Sequence, residues 1–238
     1  MNIIDKLHMV SRFWRYRRRS ERESIKFLLN QDMEGATVLD IGANRGIYTY
    51  WMSKQVGPTG RVISFEPQPE LGGFLKELIR AFGLSNVSVI NKGLSDKEGK
   101  FELFRPVIGA GGAKLQKEGE NLSEDGQLHK VEVELATLDT FFEKNPIENL
   151  AFIKCDVEGH ELSVFKGGQK TLQKFMPTLL FECGHDEAKS GEVFTLLTNM
   201  GYKGFFFANG KKISFREFDK YPYRKPTDYH RNYMFVKE

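Results

Sequence analysis

The chain has 238 residues, 40% of them apolar and 28% charged, with a formal net charge of +3. That length holds one domain with a sizeable core but not two ordinary ones, and the composition excludes a disordered or fibrous chain. No apolar run approaches the ~20 residues that span a bilayer, no export signal opens the chain, and Cys155 and Cys183 are too few for a disulfide framework, so a cytoplasmic protein with reduced cysteines is expected.

The first 26 residues carry eight basic side chains against three acids, a local +5, which leaves −2 for the remainder. The basic character therefore belongs to a leader, residues 1–24, and not to the body at 25–238, which argues against nucleic acid as a partner. Within the leader, Ile3, Leu7, Val10 and Trp14 stand at spacings of 4, 3 and 4, one stripe of a helix, with arginines crowding its C-terminal end. Such a helix can pack on its own domain or on a second subunit in a homo-oligomer. It can equally lie on an anionic membrane surface, making the protein peripheral to the membrane, or meet an anionic polymer.

From residue 25 onward helices and strands alternate. Residues 24–31 read as a short helix, 36–41 as a buried strand, and 46–56 as a helix stopped by Gly57 and Pro58. A second strand covers 61–66, a helix with apolar residues at helical spacing covers 70–82, and a third strand covers 86–90. Residues 100–104 and 130–135 are strand-like, and the glycine- and charge-rich stretch 107–127 between them is long enough to be a substrate lid or a recognition loop, or else a disordered excursion. Alternation resumes with a strand at 150–155, a helix at 160–174, a strand at 178–181 and a helix at 190–200. Asn209-Gly210 signals a hairpin, and 233–236 forms the last strand. This order predicts an α/β fold with a doubly wound, mainly parallel sheet, in which ligands bind beyond the carboxyl ends of the strands.

Two features mark those ends. Val38-Leu-Asp-Ile-Gly-Ala-Asn-Arg-Gly46 is a strand, a turn with glycines at 42 and 46, and a helix start whose free N–H groups suit a carboxylate or phosphate. The G-x-x-x-G spacing differs from the G-x-G-x-x-G of nicotinamide cofactors. Asp40 before the turn suits a cationic amine, such as that of a methionine moiety, and is unwelcome beside a pyrophosphate. Glu66, ending the next strand, can accept protons from both hydroxyls of a ribose.

The segments VLDIGANRGIYT, ISFEPQP, GLSDKEG, ATLDTF, IKCDVEGHELSVFKGG and LLFECGH, in that order from about residue 36 onward, resemble the FkbM family of methyltransferases. Asp156-Val-Glu-Gly-His-Glu161, followed by Gly167-Gly168, is the sharpest of them. The resemblance implies a Rossmann-like class I methyltransferase sheet of seven strands, the last antiparallel, with S-adenosylmethionine as cofactor. It also implies O-methylation of a sugar, glycan or other hydroxylated natural product. Carried over, Asp40, Gly42, Asn44 and Gly46 line the methionine part of the cofactor and Glu66 its ribose. Gly93 stands where many such enzymes present an acid to the adenine, so adenine contacts fall to backbone and to Leu94 and Ser95.

Methyl transfer to a hydroxyl gains from alignment and from a base that removes the proton. The candidates are Asp156, Glu158, His160 and Glu161 after one strand, and Glu182 and His185 after the next. Either Asp156 or His185 is the base, with the other carboxylates orienting it, or Asp156, Glu182 and His185 hold a divalent ion. The metal-free version is favoured, because strand-end acids more often orient than chelate. Glu161, in a first helical turn, can simply favour the helix dipole. A nicotinamide-dependent oxidoreductase and a non-catalytic cofactor-binding module are the competing readings.

Overall fold

The computed structural model describes residues 1–109, 111–115, 127–221 and 230–237. Helix α1 (Ile3–Arg15) starts at a capping box in which Asn2 and Asp5 exchange side-chain and backbone hydrogen bonds. A π-helical turn (Tyr16–Ser20) leads to α2 (Arg22–Leu29). Then come β1 (Thr37–Ile41), α3 (Ile47–Val56), β2 (Arg61–Phe65), α4 (Pro69–Phe82) and β3 (Val87–Ile90). A small sheet follows from β4 (Gly93–Leu94), β5 (Gly99–Arg105), β6 (Lys114–Leu115) and β7 (His129–Ala136). The chain continues through α5 (Leu138–Lys144), β8 (Phe152–Cys155), α6 (Glu161–Lys166), α7 (Gln169–Phe175), β9 (Thr178–Gly184), α8 (His185–Ser190) and α9 (Glu192–Asn199). The hairpin β10 (Tyr202–Ala208) and β11 (Lys211–Ser214), a 3-10 helix (Phe215–Lys220) and β12 (His230–Lys237) complete the order.

The main sheet runs β11-β10-β12-β9-β8-β1-β2-β3. The five strands from β9 to β3 are parallel, and β12 inserts antiparallel between β9 and β10. This is the expected α/β architecture with one strand more, because the hairpin adds β11 at the edge. Its turn residues Asn209 and Gly210 take φ of 52° and 74°, the positive pair that a tight hairpin requires.

Alternation along the strands builds two cores. Val38, Val62, Phe152, Leu180 and Met234 pack with α1–α4 on one face. Leu39, Ile63, Ile153, Leu179 and Phe235 pack with α5–α9 on the other. Each such side chain contributes roughly 1.5–3 kcal/mol on burial. One element expected as a single helix is divided, and one expected helix is preceded by an additional short one. The helix expected at 160–174 breaks at Gly167, where a Cβ would lie 2.0 Å from the carbonyl oxygen of Ser95, so the small-sheet connection passes through the gap. The helix expected at 190–200 is α9, preceded by α8 and separated from it by Gly191 at φ 72°.

The leader docks by a face other than the stripe its sequence suggests. Met9 and Phe13 are buried against the domain, and Phe13 stacks on Tyr50 of α3 with ring centroids 4.0 Å apart. Ile3, Leu7, Val10 and Trp14 point outward, 77%, 64%, 37% and 40% exposed. Among the described residues, no helix is long and apolar enough to cross a membrane.

Candidate active site

Strands β1 and β8 are neighbours, yet the chain leaves them toward opposite faces of the sheet, into α3 and α6. The crevice between their carboxyl ends is the switch point of the fold. The two turns touch there. Gly42 has φ of 74°, and a Cβ on it would lie 1.9 Å from the carbonyl oxygen of Asp156, so only glycine fits. Asn44 follows at φ 49°. Its N–H donates to Oε2 of Glu66 at 2.8 Å, and the Gln68 N–H donates to Oε1 at 3.0 Å. Burial raises the Glu66 pKa above its ordinary value, and these two donors partly offset the rise.

A cavity of about 90 Å³ opens beside these groups. Gly42, Asn44, Glu66, Gly93 and Leu94 line it, with Asp156, Glu158 and His160 at one side. Its apolar wall includes Phe65, Leu103 and Leu135, and the segment 111–115 covers it. The Gly112 N–H donates to Oε1 of Glu158 at 3.0 Å and ties that cover down. The volume falls below the ~300–1,000 Å³ usual for small-molecule sites, so the cover narrows the cavity in this conformation. The remainder of the expected lid at 107–127 includes residues 110 and 116–126, which lie outside the described residues.

A second cavity of about 390 Å³ shares Gly42, Asn44, Gly111 and Asp156 with the first. Its floor is polar because strand register brings polar side chains to one face: Lys154 stands beside the buried Asp40 across β8 and β1, and Glu182 beside Asn232 across β9 and β12. The Lys154 Nζ donates to Oδ2 of Asp156 at 3.0 Å and lies 5.0 Å from the ring centroid of Tyr48. The Tyr48 hydroxyl and the Asn232 Nδ2 both donate to Oε2 of Glu21, at 3.1 and 2.7 Å. Glu21, Glu182 and Asn232 also line a further groove that runs on past Arg19 and Arg22.

The electrostatics separate these groups. Burial pushes Glu182 up to about 9, helped by the neighbouring charges of Asp156 and Glu158, so its carboxyl stays protonated at neutral pH. Burial pulls the Lys154 ammonium down, but Asp156 and Asp40 outweigh it and the net displacement is upward. The result is a lasting cation beside Asp156 and a neutral acid nearby.

The structure brings Gly42, Asn44, Glu66, Gly93, Leu94, Asp156, Glu158 and His160 to the first cavity, and Glu182 to the second. The other expected site residues line neither. Asp40 is fully buried, because period-two alternation turns it with Val38 toward α3, where it accepts from the Thr49 hydroxyl at 2.6 Å. Gly46 caps α3 at φ 74°, and a Cβ there would lie 2.9 Å from Cδ2 of Leu75, so it serves the packing of α3 on α4. The Ser95 hydroxyl bonds the His160 Nε2 at 2.8 Å. Glu161 is buried and accepts from the Val157 N–H at 2.8 Å, and burial pushes it up to about 7. It holds the Asp156 turn in shape. His185 begins α8 with its ring 5.9 Å from that of Phe218. It does not join Asp156 and Glu182 as a ligand set: among the described residues, no three His, Cys, Asp or Glu side chains are grouped to hold a metal ion.

Glu21, Tyr48, Lys154 and Asn232 are site residues the sequence does not single out. Lys154 carries a signal all the same, a cation inside the apolar run Phe152-Ile-Lys-Cys155, where a charge needs a buried partner. Glu21 carries none, being one acid among arginines.

A doubly wound sheet of this strand order, with a glycine turn at its switch point and an acid ending the next strand, is that of a Rossmann-like, S-adenosylmethionine-dependent methyltransferase fold. Residues 40–203 match the Methyltransferase FkbM domain family, and the chain belongs to that family. It is 30% identical over 167 residues to the hexuronic acid methyltransferase AglP of Haloferax volcanii, covering 69% of this chain and 63% of that one. It is 29% identical over 150 residues to the 2-O-methyltransferase NoeI of Sinorhizobium fredii, covering 58% and 59%. The chain thus spans about six-tenths of the length of these two relatives. The crystal structure of a methyltransferase FkbM from Methylobacillus flagellatus superposes with a TM-score of 0.54 at 14% identity, covering 87% of this chain and 45% of that one.

Proposed function

We propose that the protein transfers a methyl group from S-adenosylmethionine to a hydroxyl of a sugar or another hydroxylated acceptor. The observation that carries this reading is the shared wall. The cavity beside Glu66 and the polar cavity over Lys154 meet at Gly42, Asn44 and Asp156, so a donor in one faces an acceptor in the other across the Asp156 carboxylate.

The residues present fit the donor. Glu66 offers buried carboxylate oxygens at the end of β2 for a ribose, the Gly42–Gly46 turn offers backbone for the amino-acid end, and Leu94, Leu103 and Leu135 offer an apolar wall for a base. The segment 111–115 serves as its cover and must shift for the donor to enter. The donor supplies an electrophilic sulfonium methyl. With the donor bound, Asp156 would take the acceptor's hydroxyl proton as the oxygen–carbon bond forms and the methyl's bond to the donor sulfur breaks, leaving a neutral thioether. The base contributes about 10²–10⁴ in rate. The Lys154 ammonium holds that carboxylate in place and stays protonated itself. The neutral Glu182 carboxyl donates a hydrogen bond to an acceptor oxygen. A sugar acceptor is further supported by the hexuronic acid named for the Haloferax relative.

Calorimetry with S-adenosylmethionine and its demethylated product tests the donor site, and mass spectrometry of neutral and uronic sugar glycosides incubated with the methyl donor tests the acceptor. Absence of heat with both nucleosides sinks the reading. Cofactor heat with no methylated glycoside leaves the non-catalytic module as the better description.

A further inference from the structure

The outer face of α1 departs most from a polar surface among the described residues. Among the described residues, every exposed large hydrophobic side chain is on α1 or at Val107 and Ile108. Five are on α1: Ile3, Ile4, Leu7, Val10 and Trp14. The helix docks on its domain chiefly through Met9 and Phe13, with Trp14 edge-on to Trp51 at 5.5 Å, while Ile3, Ile4 and Leu7 are left largely exposed. A contiguous apolar strip on a single helix marks a surface that something covers.

The charges beside it say what. At the C-terminal end of the stripe, Trp14, Arg17, Arg18, Arg22, Lys26 and Leu29 line a shallow depression. The guanidinium groups of Arg17 and Arg18 lie 5.0 and 4.8 Å from the Trp14 ring centroid, so the aromatic edge and the cations form one surface. Arg15, Arg17, Arg18, Arg22 and Lys26 make no ion pair among the described residues. Unpaired cations beside an apolar stripe that carries a tryptophan match the chemistry of an anionic bilayer surface, with acyl chains under the stripe and headgroup phosphates over the arginines. We propose that α1 and the π-helical turn dock the protein flat on an anionic lipid surface.

The same segment also lines the polar cavity, through Arg12, Tyr16 and Glu21. Docking by its outer face therefore keeps the polar cavity within about one helix diameter of the bilayer, in reach of an acceptor carried on a lipid.

The test is flotation of the full chain with vesicles of phosphatidylcholine alone or doped with phosphatidylglycerol. Co-flotation with the doped vesicles only is expected, weakened by salt. A blue shift of tryptophan emission should accompany it, arising at Trp14, which is partly exposed and edge-on to the buried Trp51. Leu7→Glu should weaken binding about ten-fold or more, and Arg18→Gln roughly five-fold. Both variants should keep the wild-type thermal midpoint and the heat of cofactor binding, so a failure here is separable from a failure of the methyltransferase reading. No vesicle binding, equal binding to neutral vesicles, or binding indifferent to Leu7→Glu overturns the proposal. So does a concentration-dependent dimer that Leu7→Glu dissolves, since a second copy would then cover the stripe.

Discussion

Lys154 and Asp156, two residues apart at the end of β8, form an ion pair of 3.0 Å whose cation is buried and whose carboxylate reaches the junction of both cavities. The pair gives two distinguishable variants. Asp156→Asn keeps the shape and should lower kcat by about 10²–10⁴ with cofactor affinity changed little. Lys154→Met leaves Asp40 and Asp156 without their counter-charge and should cost about 3 kcal/mol of stability, the low end for a broken buried pair because Asp156 is partly exposed. Single-turnover kinetics and denaturant melts separate the two effects. Equal kinetic loss in both variants with no stability change would contradict this division of labour.

Glu66 accepts two backbone N–H bonds while facing the first cavity. Glu66→Ala should weaken binding of S-adenosylhomocysteine by about 10–100-fold, since hydrogen bonds to a charged group are worth roughly 1.5–3 kcal/mol. Titration calorimetry reads this directly, and affinity within a factor of two of wild type would remove Glu66 from the donor site.

Two glycines make a matched pair for stability. At Gly42 a Cβ would strike the Asp156 carbonyl at 1.9 Å and φ is 74°, so Gly42→Ala should destabilise by about 3 kcal/mol or more. At Gly73, on the exposed side of α4, nothing lies within 4 Å, and Gly73→Ala should stabilise by about 0.5–1 kcal/mol. Urea melts giving both changes the same sign would refute the packing argument.

Stability should also carry the mark of Glu182. Its folded pKa is about 9 against an ordinary 4.5, so between those values the folded chain holds a proton that the unfolded chain has released. This contribution is complete below about pH 4.5 and declines as pH rises toward 9. Glu182→Gln, which imitates the protonated form, should therefore gain on wild type as pH increases. Thermal midpoints of the two proteins that stay parallel across that range would show Glu182 to be ionised in the fold.

The architecture was legible because each strand is an apolar run closed by a turn residue, and period and punctuation are local properties. Three residues that line the first cavity were legible for the same reason: Gly42, Asn44 and Glu66 lie within a short stretch of chain. Asp40 misled, since the parity that buries Val38 also turns Asp40 inward, and a motif read along the chain does not show which face a strand residue takes. The leader misled in the opposite sense, because a more apolar stripe stood beside the one that packs. Of the second cavity, Asp156 and Glu182 were legible as acids at strand ends, while Glu21, Tyr48 and Asn232 were not. Glu21 and Asn232 are 211 positions apart and meet only through the sheet order, which no local pattern encodes.

That bond between Glu21 and Asn232 also orders events during synthesis. The elements around Glu66 and Asp156 precede β12 in the chain, so the strands that flank the first cavity are made before the last strand. The opposite cavity has to wait for the final strand to slot between β9 and β10. That cavity is finished only when the strand carrying Asn232 has cleared the ribosome and paired with β9 and β10.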